Sequence, residues 1–484
     1  MNFITNTVIF ICCLVPWIIF YFFNFTEFSF IFPNGIHVND WHKELEYISV
    51  LKQAVIEGIL PLNVPNFQEF FGITSSKGEF LGMPIYPLFP LIFTLHILEP
   101  MEFHLLNHFL MIFVGFFGCI LIKRDFNLSL IAFFFLVVTF NFYGGFLSKI
   151  SAYGPSQLGY YFSIYIIWIV MKISKNEEFK SNDDFIISSI ILSFCLSFIL
   201  YQGSLHYFVQ WITFLIFWGL FNLKYIKFLI TSALLTIAIC ASRILPAMII
   251  NGGTSNSREI GGYGFNPEFF LQTFISIRGI TDFPAFAWWE NTNYISIVGF
   301  TLILLFGVFY SFFSKKKYVN SNFKSLFFPL LLICIISFKD FRAYLIPDFL
   351  PLLNIESVTS RYFFIIVLFM LTIACINFDD FYKSLKDQKL KLTLWLAALI
   401  HFIFLLFNST IWSLRFIQNK LYDYGGIELE QNLSTYQINL QIINEHNHYF
   451  YPLSLNIGFW VSLTSLLLCC ICLLYFYIFK KKDV

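Results

Sequence analysis

Asn39-Asp40-Trp41-His42-Lys43-Glu44-Leu45-Glu46 opens the first long polar segment of the chain. An apolar stretch from Thr7 to Pro33 precedes it, and further long apolar runs follow from about residue 103. A helix needs about 20 mostly apolar residues to cross the hydrocarbon layer of a bilayer, and these runs approach or reach that length. Carboxylates are costly in hydrocarbon, so a segment carrying them between such runs belongs at the water interface. The pattern predicts an all-α, polytopic transmembrane bundle with a long polar loop on one face.

Composition points the same way. Of 484 residues, 58% are hydrophobic and 12% charged, where a soluble domain carries about 25% charged residues. A net charge of +1 argues against a nucleic-acid partner. All ten cysteines lie in apolar runs, which predicts small buried hydrophobes with no disulfide framework and no zinc site. Met1 to Asn6 carries no Lys or Arg, and the apolar run behind it is too long for a cleavable signal. It is expected to stay as the first span.

Apolar runs predict about twelve spans, near 7–32, 103–122, 127–147, 156–173, 185–202, 204–222, 226–249, 293–313, 324–338, 360–377, 392–410 and 456–479. The run 81–98 is ambiguous. Pro84, Pro87 and Pro90 make it a poor spanning helix, and an interfacial or re-entrant helix is expected instead. With twelve spans, the short loops holding 18 of the 30 Lys and Arg fall on one face. The positive-inside rule makes that face cytoplasmic, with both termini on it. Loops 33–102, 250–292, 339–359 and 411–455 then face outward and hold 19 of the 29 acids. The chain divides into residues 1–380, which include outer loop 33–102, and a C-terminal transmembrane region 381–484 with outer loop 411–455.

Within the first outer loop, Leu45, Ile48, Leu51, Val55 and Ile59 recur at helical spacing. Residues 41–59 are expected to form an amphipathic helix on the membrane surface, and the stretch from Leu81 a second. Asp40 has a local use as a cap accepting backbone N–H bonds. It also has a chemical use. A sugar carried on a lipid phosphate is anchored at this depth, and a carboxylate there can take the proton from an acceptor hydroxyl. Alternatively it can hold a divalent cation, Mg or Mn, against the departing phosphate. Glu44 lies one turn on and can share that face.

The order of first span, acid-bearing outer loop with two surface helices, then many-span bundle resembles the GT-C superfamily of polyprenyl-phosphate-dependent glycosyltransferases. Leu81-Gly82-Met83-Pro84-Ile85-Tyr86-Pro87, Asn291-Thr292-Asn293-Tyr294 ahead of Gly299, and Leu350-Pro351 followed by Ser360-Arg361-Tyr362-Phe363-Phe364 are similar to its bacterial branch that decorates cell-surface polymers. The likeness covers the chain to about residue 380. It implies an inverting transfer at the outer face of a bacterial cytoplasmic membrane, from a polyprenyl-phosphate sugar to a glycan or lipid acceptor. It carries the catalytic acid onto Asp40 alone. Many relatives have an Asp-Glu or Asp-Asp pair where this chain has Asn39-Asp40, which leaves metal dependence open.

A lipid phosphate calls for cations near the outer surface, and arginine suits it through its planar fork of donors. Arg361, Arg342 and Arg258 are the candidates, with Arg243 inside a span as either a functional residue or one that reaches to the interface. An ion pair with Glu356 or Asp348 is the rival role for Arg361. The loop 250–292 is rich in Gly and aromatics around Tyr263 and ends in Trp288-Trp289-Glu290, which suits sugar or isoprenoid contact. Asn408-Ser409-Thr410 matches a glycosylation acceptor. Two other classes compete with the enzyme: a lipid or polysaccharide transporter, and a non-catalytic subunit of an envelope complex.

Overall fold

The computed structural model describes residues 2–31, 48, 52, 55, 56, 91–176, 179, 181–250, 265, 269–277, 288–313, 317–338, 358–418 and 450–479. Among them the fold is all-helical, 89% helix with no strand. In chain order the helices are α1 (Asn2–Ile31), α2 (Pro100–Asp125), α3 (Leu130–Asn141), α4 (Gly144–Tyr153), α5 (Ser163–Asn176), α6 (Asn182–Tyr201), α7 (Leu205–Phe221), α8 (Ile226–Ile239), α9 (Ala241–Ile250), α10 (Ser296–Leu302), α11 (Lys317–Ile336), α12 (Phe363–Ser384), α13 (Gln388–Gln418) and α14 (Phe450–Phe479). A 3-10 stretch, Gly154–Phe162, joins α4 to α5, and a 3-10 turn, Thr359–Tyr362, leads into α12. Past Leu302, α10 continues as a π-helical segment, Ile303–Phe309.

Every apolar run picked out by hydropathy is helical. Seven helical stretches are long and apolar enough to cross a membrane, or eight if α7 and the helix after its sharp bend count together. The chain is an integral membrane protein by this measure. Residues 81–90 of the ambiguous run lie outside the described residues, and Leu91–His96 is a short 3-10 helix. Within 41–59, the described Ile48, Lys52, Val55 and Ile56 are helical, with Ile48 and Val55 buried. Lys52 pairs with Glu99 at 2.8 Å.

Local sequence sets the helix ends. Pro100 opens α2 at a position whose N–H needs no partner. One turn on, the Glu102 carboxylate accepts the Glu99 N–H at 2.9 Å, satisfying a donor that helix geometry leaves over. Lys123 and Arg124 close α2, where the helix dipole favours cations. Ser181 caps α6 by accepting the Asp184 N–H at 3.1 Å.

The central helices are α3–α4 and α12, each 94% buried across its most apolar window, while α13 and α14 are 17% buried. Lipid tails are as apolar as the core, so helix association rests on close fit rather than on a hydrophobic drive. Aromatic rings supply much of that fit: Phe364 packs edge-on to Trp211 at 5.7 Å and Tyr207 at 5.0 Å. On the periphery, Gly458 of α14 lies so close to Ala241 that a Cβ would come within 2.7 Å of its carbonyl oxygen. One turn on, Ser462 accepts the Ser242 N–H at 2.8 Å.

Polar contacts tie the lysine-bearing helix ends together. Asp379 accepts the Ser129 N–H at 2.6 Å and pairs with Lys383 at 2.6 Å. Lys383 also donates to the Asn127 carbonyl at 2.5 Å, and Lys123 to Asn6 at 2.7 Å. The bundle therefore has a basic end, where α1 begins, α2 and α12 finish and α3 starts.

Candidate functional site

Away from the basic end, buried polar side chains gather around the starts of α10 and α12. The short helix Trp288–Asn291 packs between α4 and the turn Thr359–Tyr362. This fit brings Arg361 to Glu290. The guanidinium Nε donates to one carboxylate oxygen at 2.7 Å, and Nη2 bonds the other. Both side chains are nearly excluded from solvent, 10% and 3% exposed. Next door, the Ser360 hydroxyl donates to the Glu290 carbonyl at 3.1 Å. Two charges removed from water need this kind of fork-on-fork geometry, because desolvation costs several kcal/mol per ion.

The chain leaves Glu290 along a tightly held path into α10. Tyr143 donates its hydroxyl to Asn293, whose amide bonds the Asn291 carbonyl at 3.1 Å. Backbone bonds run from Asn293 N–H to the Thr273 carbonyl and from Gly144 N–H to the Tyr294 carbonyl, each 2.9 Å. Gly144 permits that approach, since a Cβ there would lie 2.5 Å from the Tyr294 Cβ. Ser296, the first residue of α10, has φ 62°, a left-handed conformation that is costly for a residue with a Cβ.

His401 of α13 holds this corner. It lies 2.8 Å from the hydroxyls of both Thr139 and Ser296. Thr139 spends its proton on the Phe135 carbonyl and Ser296 accepts the Gly299 N–H. The network therefore assigns the proton to Nε2, which donates to Thr139, while Nδ1 accepts from Ser296. His401 bridges three helices and is a packing residue.

Other polar groups are buried elsewhere in the bundle. Lys149 and Ser151 of α4 are 5% exposed. His104 and His108 lie one turn apart on α2, with the His108 ring 3.1 Å from the Tyr161 hydroxyl and beside Trp17. Ser204 caps the 3-10 stretch, accepting the Gly159 N–H at 2.9 Å and donating to Ser156. Asn107 and Gln202 are fully buried, and neither end of either carboxamide has a hydrogen-bond partner among the described residues. Arg361, with Glu290 in its fork, offers a buried guanidinium whose donors suit an anionic ligand. No cluster of three or more metal-ligating side chains occurs among the described residues.

No family model, curated protein or solved structure matches this chain. The chemistry of the site rests on its own side chains.

Of the residues expected from sequence, Arg361 falls within the site. Among the described residues its carboxylate partner is Glu290; Glu356 and Asp348 lie outside them. Asp40, Glu44, Arg258, Tyr263 and Arg342 also lie outside them. Arg243 is 5% exposed, buried near the start of α9 rather than reaching to an interface. Asn408 is 1% exposed within α13, so it presents no glycosylation acceptor. Lys149 and the His104–His108 pair escaped the sequence reading, which named Glu290 only as the end of the 250–292 loop. Lys149 had a usable signal, since it stands among apolar residues at the end of a predicted span, where an ionisable group is expensive.

Proposed function

We propose that this chain is a GT-C-type membrane glycosyltransferase. It moves a sugar from a polyprenyl-phosphate donor to a glycan or lipid acceptor of the cell envelope, at the extracytoplasmic face of a bacterial cytoplasmic membrane. The observation that carries the proposal is Arg361, a buried guanidinium at the mouth of α12, set among polar side chains at the end opposite the lysines. A phosphate monoester or diester takes the same fork of donors that a carboxylate does. The reading takes twelve passages with both termini on the lysine-rich, cytoplasmic side, of which seven or eight among the described residues are long and apolar enough to cross by themselves.

In this reading Asp40 removes the proton from the acceptor hydroxyl. Arg361 binds the donor phosphate, with Arg342 and Arg258 as further cations, and Glu44 and Tyr263 contact the sugars. A divalent cation, Mg or Mn, held by Asp40 is the alternative use of that acid. The test is sugar transfer by purified protein from a synthetic polyprenyl-phosphate sugar. Asp40→Asn is expected to bind donor and fail to turn it over. Wild-type turnover by that variant removes Asp40 as the base.

A transporter of lipid-linked glycans is a second reading, favoured by the buried Arg361–Glu290 pair, because charges inside a membrane bundle often mark a substrate path. Movement of a labelled polyprenyl-phosphate lipid across a vesicle bilayer without any glycosyl transfer would select it.

A further inference from the structure

We propose that the seam between α2 and α5 at the basic end is a binding site for an anionic phospholipid. One face of α2 carries Phe113, Phe117, Ile120 and Arg124, which fall within one narrow arc at helical spacing. Phe113 and Phe117 are 54% and 49% exposed, and Phe113 packs edge-on to Phe10 of α1 at 5.9 Å, so the stripe runs along the outer face of α2 beside the seam, where an acyl chain can lie. The facing side of α5 carries Tyr165, Trp168, Lys172 and Lys175 in a second arc. Tyr165 donates to the Val114 carbonyl at 2.7 Å, which binds the two helices together.

Among the described residues, the seam ends in three cations, Arg124, Lys172 and Lys175, around Asp125. Asp125 accepts Arg124 Nε at 2.8 Å and Trp168 Nε1 at 2.8 Å. Lys175 reaches the Asp125 carbonyl at 3.1 Å. Lys172 lies 5.4 Å from the Trp168 ring centre and Lys175 4.9 Å from that of Phe126. Asp125 is thus committed to orienting this corner, and among the described residues the cations there outnumber it. The Nη groups of Arg124 and the ammonium of Lys172 are left to a phosphate at the level where the apolar stripe stops. Basic clusters in this position between membrane helices suit anionic head groups. This site is independent of the catalytic proposal.

The test is native mass spectrometry of the full chain during titration with phosphatidylglycerol, phosphatidylcholine or inorganic phosphate. Phosphatidylglycerol is expected to bind in preference to phosphatidylcholine, with inorganic phosphate failing to compete. Arg124→Gln/Lys172→Gln is expected to weaken that binding about 25-fold, from about fivefold for each basic group removed. The charge-matched control Lys386→Gln/Lys389→Gln should leave it unchanged. Equal loss in the control, equal binding of both lipids, or displacement by inorganic phosphate overturns the proposal.

Discussion

Arg361 and Glu290 stand 71 positions apart in sequence and meet as a buried, two-point ion pair. Removing one partner strands a charge in a low-dielectric interior. Arg361→Ala or Glu290→Ala should cost about 3–5 kcal/mol each. The double change Arg361→Met/Glu290→Leu should cost far less than the two summed. Thermal unfolding in detergent measures this, and additive losses would show that the pair is not coupled.

Gly144 is expected to resist any side chain. A methyl group there meets the Tyr294 Cβ at 2.5 Å and its backbone nitrogen at 2.8 Å. Gly144→Ala should destabilise by about 1–3 kcal/mol, the range for forcing atoms into a packed core. A wild-type melting temperature would mean the loop before α10 can move away freely.

Ser296 combines a left-handed backbone with two hydrogen bonds. Ser296→Ala loses the bonds and keeps the strain, whereas Ser296→Gly loses the bonds and relieves it. The glycine variant should be more stable than the alanine variant by about 1–2 kcal/mol. His401→Leu should cost about 1–3 kcal/mol by leaving buried hydroxyls without their ring partner. Comparing the melting points of the three variants is the check.

Asp379 ties α12 to the α2–α3 turn through the Ser129 N–H, and Lys383, its partner one turn on in the same helix, ties it through the Asn127 carbonyl. Asp379→Ala leaves a backbone donor without its acceptor and should cost about 1–3 kcal/mol. Lys383→Ala should cost less, since that side chain is 46% exposed and surface pairs contribute about 0–1 kcal/mol. Reversal of that order would put the tie in the Lys383 bond to the Asn127 carbonyl.

Glu290 sits in the same guanidinium fork that a donor phosphate would need. If the proposed function holds, Glu290→Gln should tighten binding of polyprenyl phosphate by several-fold, while Arg361→Ala should abolish it. Weaker binding by Glu290→Gln would instead make the carboxylate a positioning group for Arg361.

Much of this was legible in the chain itself. Apolar runs of spanning length announced the helices, because each residue's transfer into lipid is a local property. Pro100 and Glu102 marked the start of α2, and the lysine clusters marked one end of the bundle. The site was only half legible. Arg361 stood out as a charge at a span boundary, but the sequence offered Glu356 and Asp348 as partners because they are near in number.

By itself, then, the sequence determined that this is a helical membrane protein with lysines gathered at helix ends. Only the tertiary structure decided that Glu290 closes on Arg361, that His401 joins Thr139 to Ser296, and that Asn408 is buried. Helix formation follows from spacing and solvent transfer over a few turns. Partner choice inside a bundle follows from which helix faces touch, and that depends on the fit of side chains far apart along the chain.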